Sequence, residues 1–343
     1  MRAMGSTPDG AVVHEPLASA TGMSTDPVQP WAIVLAGGAG IRLQPLTRII
    51  CGDERPKQYV RLFGSRSMLR QTLDRLAVAI PAEQTVAVVT QAHARYISEE
   101  FGIARTPRRI VQPTDRGTAT AILLAAQWIS WRDPDAVVAV FPSDHLILGE
   151  LTFMAHIMSV AAFVERHPER LLLLGVRPTE AEMDYGWIEP QEPIGRINGM
   201  AVSTVGRFRE KPSAREARKC LTQGCLWNTG IMVAKARTLV EAGRRVLPAL
   251  TERLSRIESA AGSEYEPFAI SGAYDSLERA NFSRDVLERC ASVLAVTSLP
   301  VTVTWLDLGS PNRVIRGLHE AGLAPSWLTV LKARKTPASW PRA

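Results

Sequence analysis

Between Trp31 and Val176 the apolar residues of this chain follow two alternating patterns. Short continuous apolar runs take turns with longer stretches whose apolar positions recur every three to four residues. Trp31–Ala36, Thr85–Thr90, Arg109–Gln112, Ala136–Phe141 and Leu171–Val176 are of the first kind and predict buried strands. Met68–Ile80, Ala92–Phe101, Thr118–Trp131 and Thr152–Arg166 are of the second kind and predict helices. Strands apolar on both faces, separated by helix-length segments, imply an α/β fold with a doubly wound, mostly parallel sheet.

After about residue 180 the pattern changes. Tyr185–Glu189 and Met200–Arg209 read as a β-ribbon lying across the sheet. Ser213–Gln223 predicts a helix capped by Ser213, and Cys225–Ala234 a returning strand followed by helices to about Arg256. Ser292–Val296 and Val301–Trp305 predict late strands, and Pro311–Ala321 a helix capped by Ser310. No repeat and no long linker interrupts this span, so residues 31–321 are expected to form one domain, followed by a short basic tail over 322–343 that frays beyond Leu331. Met1–Pro30 lacks both periodicity and the apolar segment of a signal peptide, and is expected to be a disordered leader, with Met23 as an alternative start.

Composition narrows the function classes. The 343 residues are 46% hydrophobic and 22% charged, ordinary for a globular protein. The longest apolar run, Leu171–Val176, is strand-sized, so no membrane span or membrane partner is expected. The net charge of +6 comes from arginines scattered among Asp and Glu rather than gathered in a stripe, which speaks against nucleic acid and suits an anionic small molecule. Cys51, Cys220, Cys225 and Cys290 form no C-x-x-C pair, so inert thiols and a reduced, cytoplasmic setting are expected.

The chemistry begins at Leu35-Ala36-Gly37-Gly38-Ala39-Gly40-Ile41-Arg42, directly after the first strand. Glycines there let backbone N–H groups approach a phosphate, and Arg42 can hold phosphate oxygens with its fork of donors. The Gly-Lys-Ser/Thr of a P-loop is missing, and Leu43 stands where a dinucleotide fingerprint needs its third glycine. Downstream, Arg55-Pro56-Lys57-Gln58-Tyr59 places one of the chain's few lysines, a compact point charge. Asp144 follows an apolar strand at the sheet end where open α/β sheets bind ligands, and Asp307 follows another. Two such carboxylates can share one Mg²⁺ with phosphate oxygens. His145 has no second histidine to form a metal site and reads as structural.

The glycine loop and the Pro-Lys-Gln stretch together resemble the sugar-1-phosphate nucleotidyltransferases, above all the mannose-1-phosphate guanylyltransferases. The similarity continues through Gln112-Pro113-Thr114-Asp115-Arg116-Gly117-Thr118, Phe141-Pro142-Ser143-Asp144-His145, Asp184-Tyr185-Gly186-Trp187-Ile188-Glu189, Phe208-Arg209-Glu210-Lys211-Pro212, Leu226-Trp227-Asn228-Thr229-Gly230 and Trp305-Leu306-Asp307-Leu308-Gly309-Ser310. The resemblance implies a Rossmann-like sheet of the nucleotide-diphospho-sugar transferase type. It implies nucleotide contacts from Leu35, Gly37, Gly38, Gly40, Arg42, Lys57, Gln112, Pro113, Gly117 and Thr118. Gly186, Glu210, Lys211 and Asn228 would hold the sugar phosphate, with Arg42, Lys57 and Lys211 catalytic and Mg²⁺ on Asp144 and Asp307. The implied partners are a nucleoside triphosphate, GTP first, and a sugar 1-phosphate; a homodimer is a family-based expectation. The short stretch after Pro311 is expected to be too short for the β-helix or isomerase domain that some members carry there. Three departures bear on specificity: Ile41 replaces a hydroxyl, Gly117 stands where many guanylyltransferases have Asn, and Pro311 where they often have Trp. A sister enzyme using heptose or glucose 1-phosphate, or a silent nucleotide-sugar sensor, are the competing expectations.

Overall fold

The structure, a computed structural model, describes residues 28–101 and 107–333. The expected leader up to position 27 and the tail beyond Ala333 lie outside these residues. In chain order the strands are β1 (Trp31–Leu35), β2 (Thr85–Thr90), β3 (Arg108–Gln112), β4 (Val137–Pro142), β5 (His145–Leu148), β6 (Leu171–Val176), β7 (Gly186–Ile197), β8 (Met200–Glu210), β9 (Leu226–Lys235), β10 (Leu294–Ser298) and β11 (Thr304–Asp307). The helices are α1 (Gln44–Cys51), α2 (Met68–Leu76), α3 (Ala94–Phe101), α4 (Thr118–Ser130), α5 (Glu150–Arg166), α6 (Ala214–Thr222), α7 (Ala236–Val246), α8 (Pro248–Ser255), α9 (Glu266–Tyr274), α10 (Pro311–Glu320) and α11 (Ser326–Ala333).

Nine strands form one sheet in the order β3-β2-β1-β4-β9-β6-β10-β8-β7. Of these, β8 and β9 run against the other seven, so the sheet is mostly parallel, as expected. Side chains alternate between faces along each strand. Ile33, Val86, Val88, Val138 and Val140 therefore join a core with α4, α7, α8 and α9. Their neighbours Ala32, Val34, Ala87, Val89 and Ala139 join a second core with α2, α3, α5 and α6 on the opposite face. This two-sided burial explains the unbroken apolar runs of β2 and β4.

The ribbon corrects the expectation. β7 and β8 do not lie across the sheet but enter it: β8 pairs antiparallel with β10, and β7 also pairs with β9. The second pairing closes β9, β6, β10, β8 and β7 into a ring of strands. Shifts of register within the β7–β8 pair let the ribbon bend far enough to do this. Asn198 and Gly199 both adopt positive φ, 49° and 83°, at the tip between the two strands, the conformation a tight hairpin turn requires.

Four elements escaped the pattern. α1 and β5 are short, α9 (EPFAISGAY) is apolar around most of its surface, and α11 lies in the expected tail. β5 pairs with β11 in a separate two-stranded sheet. Leu146, Leu306, Leu308, Val314, Leu318 and Trp327 build a third core beneath this pair, against α10 and α11. That core carries Asp307. The four cysteines are free, and three of them are buried.

Candidate active site

The glycine loop leaves β1 at the carboxyl end of the parallel strands, held from several sides. Ser143 Oγ donates to the Leu35 carbonyl at 2.7 Å, which ties the loop to the end of β4. Gln58 Nε2 donates to the carbonyls of Ala36 at 2.9 Å and Gly38 at 2.8 Å. The Pro-Lys-Gln stretch is thus bonded directly to the loop, and Gln58, which the sequence reading left without a role, is its brace. Gly37 has no room for a side chain, since a Cβ would lie 2.7 Å from Thr90 Oγ1 and 2.8 Å from Gln112 Nε2. Gly40 takes φ 63°, opening the single turn Ile41–Leu43. Gly38 faces open space.

Beside the loop, Lys57 sits between two carboxylates from distant parts of the chain. Its Nζ lies 3.0 Å from Asp144 Oδ2 and 3.5 Å from Asp307 Oδ1, and donates to the Leu308 carbonyl at 3.3 Å. Burial opposes the lysine's charge, but the two carboxylates outweigh it and raise its pKa. Burial likewise acts against the Asp307 carboxylate; Lys57, then His145, Arg313 and Arg42, overcome it and hold the pKa below the usual carboxylate range. His145 Nδ1 accepts the indole N–H of Trp305 at 3.2 Å, and burial lowers its pKa despite the aspartates. With Nδ1 accepting from Trp305, the Nε2 edge of the ring faces Asp144 and Asp307 at 3.7 and 3.9 Å. Arg42 is half exposed at the rim and pairs with Asp184 at 3.4 Å. Arg313, a residue the sequence reading missed, donates to Asp307 Oδ2 at 2.9 Å.

Among the described residues no group of three His, Cys, Asp or Glu side chains stands together at metal-binding spacing. The donor set on offer is a pair of hard oxygen ligands whose demand for positive charge is met by Lys57. Such a pair suits a divalent cation that takes its remaining ligands from phosphates and water.

A cavity of about 390 Å³ opens on the other side of the loop, lined by Leu35, Gly37, Gly38, Gln112, Gly117 and Thr118 among others. Six of the expected nucleotide contacts thus converge there, whereas Pro113 is not among the lining residues. Gln112 is buried, and its Oε1 accepts the hydroxyl of Tyr274 at 2.9 Å, which turns the amide N–H₂ toward Gly37. Opposite stands a wall that the sequence pattern did not reveal, Arg279–Asp285, zipped onto the 115–119 stretch. Ala280 N donates to Arg116 O at 3.0 Å, Ala119 N to Ala280 O at 3.1 Å, and Phe282 N to Thr118 Oγ1 at 2.9 Å.

This wall accounts for Gly117. The residue has φ 86° and ψ 170°, and a Cβ would lie 2.2 Å from Ala280 O. Backbone packing against Ala280 therefore leaves no room for a side chain at this position. Gly117→Asn is expected to cost about 2–3 kcal/mol of stability, combining a glycine-only conformation with displacement of Ala280. A urea-unfolding midpoint equal to that of the unaltered protein would refute this.

On the ribbon side, Gly186, Glu210 and Asn228 stand together. Gly186 pairs with Glu210 in register, and a Cβ on it would lie 3.0 Å from Glu210 Oε2 and 3.2 Å from Asn228 Cβ. Burial raises the Glu210 pKa, with Lys211 and Arg284 opposing and Glu288 adding to the shift. Asn228 Oδ1 accepts Gly230 N–H at 3.1 Å, which leaves its N–H₂ to offer. Lys211 is exposed and takes φ 50°, an uncommon conformation for a residue with a side chain, braced by its N–H on the Tyr185 carbonyl at 3.2 Å.

Residues 31–321 match the family model described as nucleotidyl transferase. The xanthan biosynthesis protein XanB of Xanthomonas campestris pv. campestris (strain B100) is 30% identical over 282 residues, which is 81% of this chain and 57% of that protein. The mannose-1-phosphate guanylyltransferase of Escherichia coli (strain K12) is 28% identical over 286 residues, covering 82% of this chain and 58% of that protein. The chain thus spans under two thirds of these relatives' length. Among solved structures, one described as a mannose-1-phosphate geranyltransferase from Thermus thermophilus aligns with TM-score 0.68 and 29% identity over 82% of this chain and 77% of that one. A UDP-glucose pyrophosphorylase complexed with UDP-glucose shares the fold at TM-score 0.54 and 14% identity, covering 86% of this chain and 99% of that one.

Proposed function

The chain belongs to the nucleotidyl transferase family, and we propose that it transfers a nucleotidyl group from a nucleoside triphosphate to a sugar 1-phosphate, releasing pyrophosphate. GTP and mannose 1-phosphate, giving GDP-mannose, are the preferred pair. The observation that carries this reading is Lys57 held between Asp144 and Asp307, directly below a glycine loop that its neighbour Gln58 braces.

In this reading the phosphate oxygen of the sugar 1-phosphate attacks the α-phosphorus in line. A new P–O bond forms as the bond to the β-phosphate oxygen breaks, and pyrophosphate leaves with that bond's electron pair. Such a reaction needs orientation and charge neutralisation more than a protein nucleophile. The loop N–H groups and Arg42 grip the triphosphate, and Lys57 neutralises the leaving pyrophosphate. Gln112 and Thr118 face the base, with Leu35, Gly37, Gly38 and Gly117 forming the cavity around it. Glu210 and Asn228 take sugar hydroxyls, Gly186 lets the ring approach the backbone, and Lys211 pairs with the sugar phosphate. Asp144 and Asp307 would hold Mg²⁺, which when bound supplies charge neutralisation at the reacting phosphates. Among the described residues no helix is long and apolar enough to cross a membrane, and a cytoplasmic setting fits soluble substrates of this kind.

Pyrophosphate release over a grid of five nucleoside triphosphates and mannose, glucose and heptose 1-phosphates tests the proposal. The highest kcat/KM is expected for GTP with mannose 1-phosphate. A different best pair would reassign the specificity and keep the reaction. No release from any pair would overturn the reaction and leave a nucleotide-sugar sensor.

A further inference from the structure

We infer that Arg313 is a positioning residue of this site, whose guanidinium fixes the rotation of Asp307 and locks it to the segment entering the sugar face. The inference rests on the nucleotidyl-transfer reading for its meaning, but its test does not depend on that reading.

Arg313 is the third residue of α10, whose start is set by Pro311 in the first turn and by Ser310, whose hydroxyl accepts Arg313 N–H at 3.4 Å. The side chain is nine-tenths buried. One arm, Nη1, donates to Asp307 Oδ2 at 2.9 Å, while the other, Nη2, donates to Glu182 Oε2 at 2.6 Å and lies 3.6 Å from Asp184. Its Cζ also lies over the Tyr185 ring, 4.4 Å from the centroid. Glu182 is itself pinned, since its Oε1 accepts Asp184 N–H at 3.0 Å and its carbonyl accepts the Trp187 indole at 2.8 Å. Two anchored partners on different segments thus define the guanidinium plane.

The consequence falls on Asp307. Its two oxygens are divided: Oδ2 is taken by Arg313, and Oδ1 points to Lys57 at 3.5 Å and to His145 at 3.9 Å. Only Oδ1 is therefore presented to the space between the two aspartates. The close fit excludes a side chain at Gly309, where a Cβ would lie 2.7 Å from Asp307 Oδ2, 2.9 Å from Arg313 Nη1 and 3.0 Å from Arg42 Nη2. A lysine could reach one of these carboxylates but cannot hold two in a fixed plane.

The test compares Arg313→Lys, Arg313→Gln and Glu182→Gln in the full chain. Mn²⁺ binding is read by electron paramagnetic resonance, with and without a non-hydrolysable GTP analogue, beside thermal melting and, for any active pair, kcat and KM. Both Arg313 variants are expected to bind Mn²⁺ about 10–100-fold more weakly, with kcat falling by a similar factor. Glu182→Gln keeps the Arg313–Asp307 contact and loosens only the second anchor, so its Mn²⁺ affinity should fall by less than that of either Arg313 variant. Arg313→Lys retains the charge and stem and is the variant to rely on if Arg313→Gln fails to fold. A folded Arg313→Lys with unchanged Mn²⁺ affinity would overturn the inference, as would an equal loss in Glu182→Gln, which marks a mere clamp between segments. Failure of the parent chain to release pyrophosphate would strike the nucleotidyl-transfer reading alone, because the Mn²⁺ comparison stands without it.

Discussion

Asp144→Asn is expected to lower turnover by about 10²–10³ while leaving the protein folded. The substitution keeps the shape of the side chain and removes its charge. In the fold that charge has modest work to do. Asp144 is 27% exposed, and Lys57 keeps Asp307 at 3.5 Å and the Leu308 carbonyl at 3.3 Å when Asp144 is neutral. A lost charge-assisted bond of this kind costs about 1–2 kcal/mol of stability. In the reaction the same charge would hold a cation against the phosphates, and the expected rate loss corresponds to about 3–4 kcal/mol in the barrier. The separation between a small melting shift and a large loss in pyrophosphate release identifies a functional rather than structural carboxylate. Near-normal turnover in a folded Asp144→Asn protein would remove Asp144 from the site.

Lys57→Met is expected to fail in both respects. Methionine fills the largely buried channel but leaves Asp144 and Asp307 facing each other without their common partner. Removing one side of a buried ion pair costs about 3 kcal/mol, lowering the melting temperature by roughly 5–10 °C. Turnover should drop by at least about 10², since the site would lose a point charge that neutralises the leaving pyrophosphate. Added Mg²⁺ should then raise the melting temperature of the nucleotide-free variant more than that of the parent, because the ion can take the place the ammonium held. The pH dependence follows from Asp307. Its folded-state pKa lies below its unfolded value, so its contribution to stability is present above the unfolded pKa and is lost as pH falls through the folded one. Without Lys57 the depression weakens, and acid unfolding should begin at higher pH. A variant that melts like the parent and ignores Mg²⁺ would show that Lys57 is not the counter-ion of this pair.

Much of the fold was legible because its signals are local. Thr85–Thr90 and Leu171–Val176 are continuous apolar runs bounded by polar turns, and both became strands with those limits. Ser213 announced a helix start, and in the fold it forms a reciprocal capping box with Glu216. α9 was not legible, because a helix apolar around most of its surface offers no stripe to find. The ribbon's course was not legible either. Alternation says that two strands pair with each other, not which sheet edge receives them, and only packing brought β7 against β9.

The site divides along the same line. Sequence by itself marked the glycine loop and the carboxylates Asp144 and Asp307 as candidates, because glycine's missing side chain and a carboxylate after a strand keep their meaning wherever the chain goes, while Gly186, Glu210 and Asn228 were marked through the family resemblance. Tertiary structure alone decided the partners. Lys57 meets the Leu308 carbonyl across 251 positions of sequence, Tyr274 orients Gln112 across 162, and Glu182 meets Arg313 across 131. A charge on an isolated stretch of sequence carries a sign but no address. Which opposite charge it finds, and whether water is excluded around the pair, depends on folding that gathers distant segments at one end of the sheet. The same holds for Gly117: its need to be glycine is set by an Ala280 carbonyl that only the folded chain brings beside it.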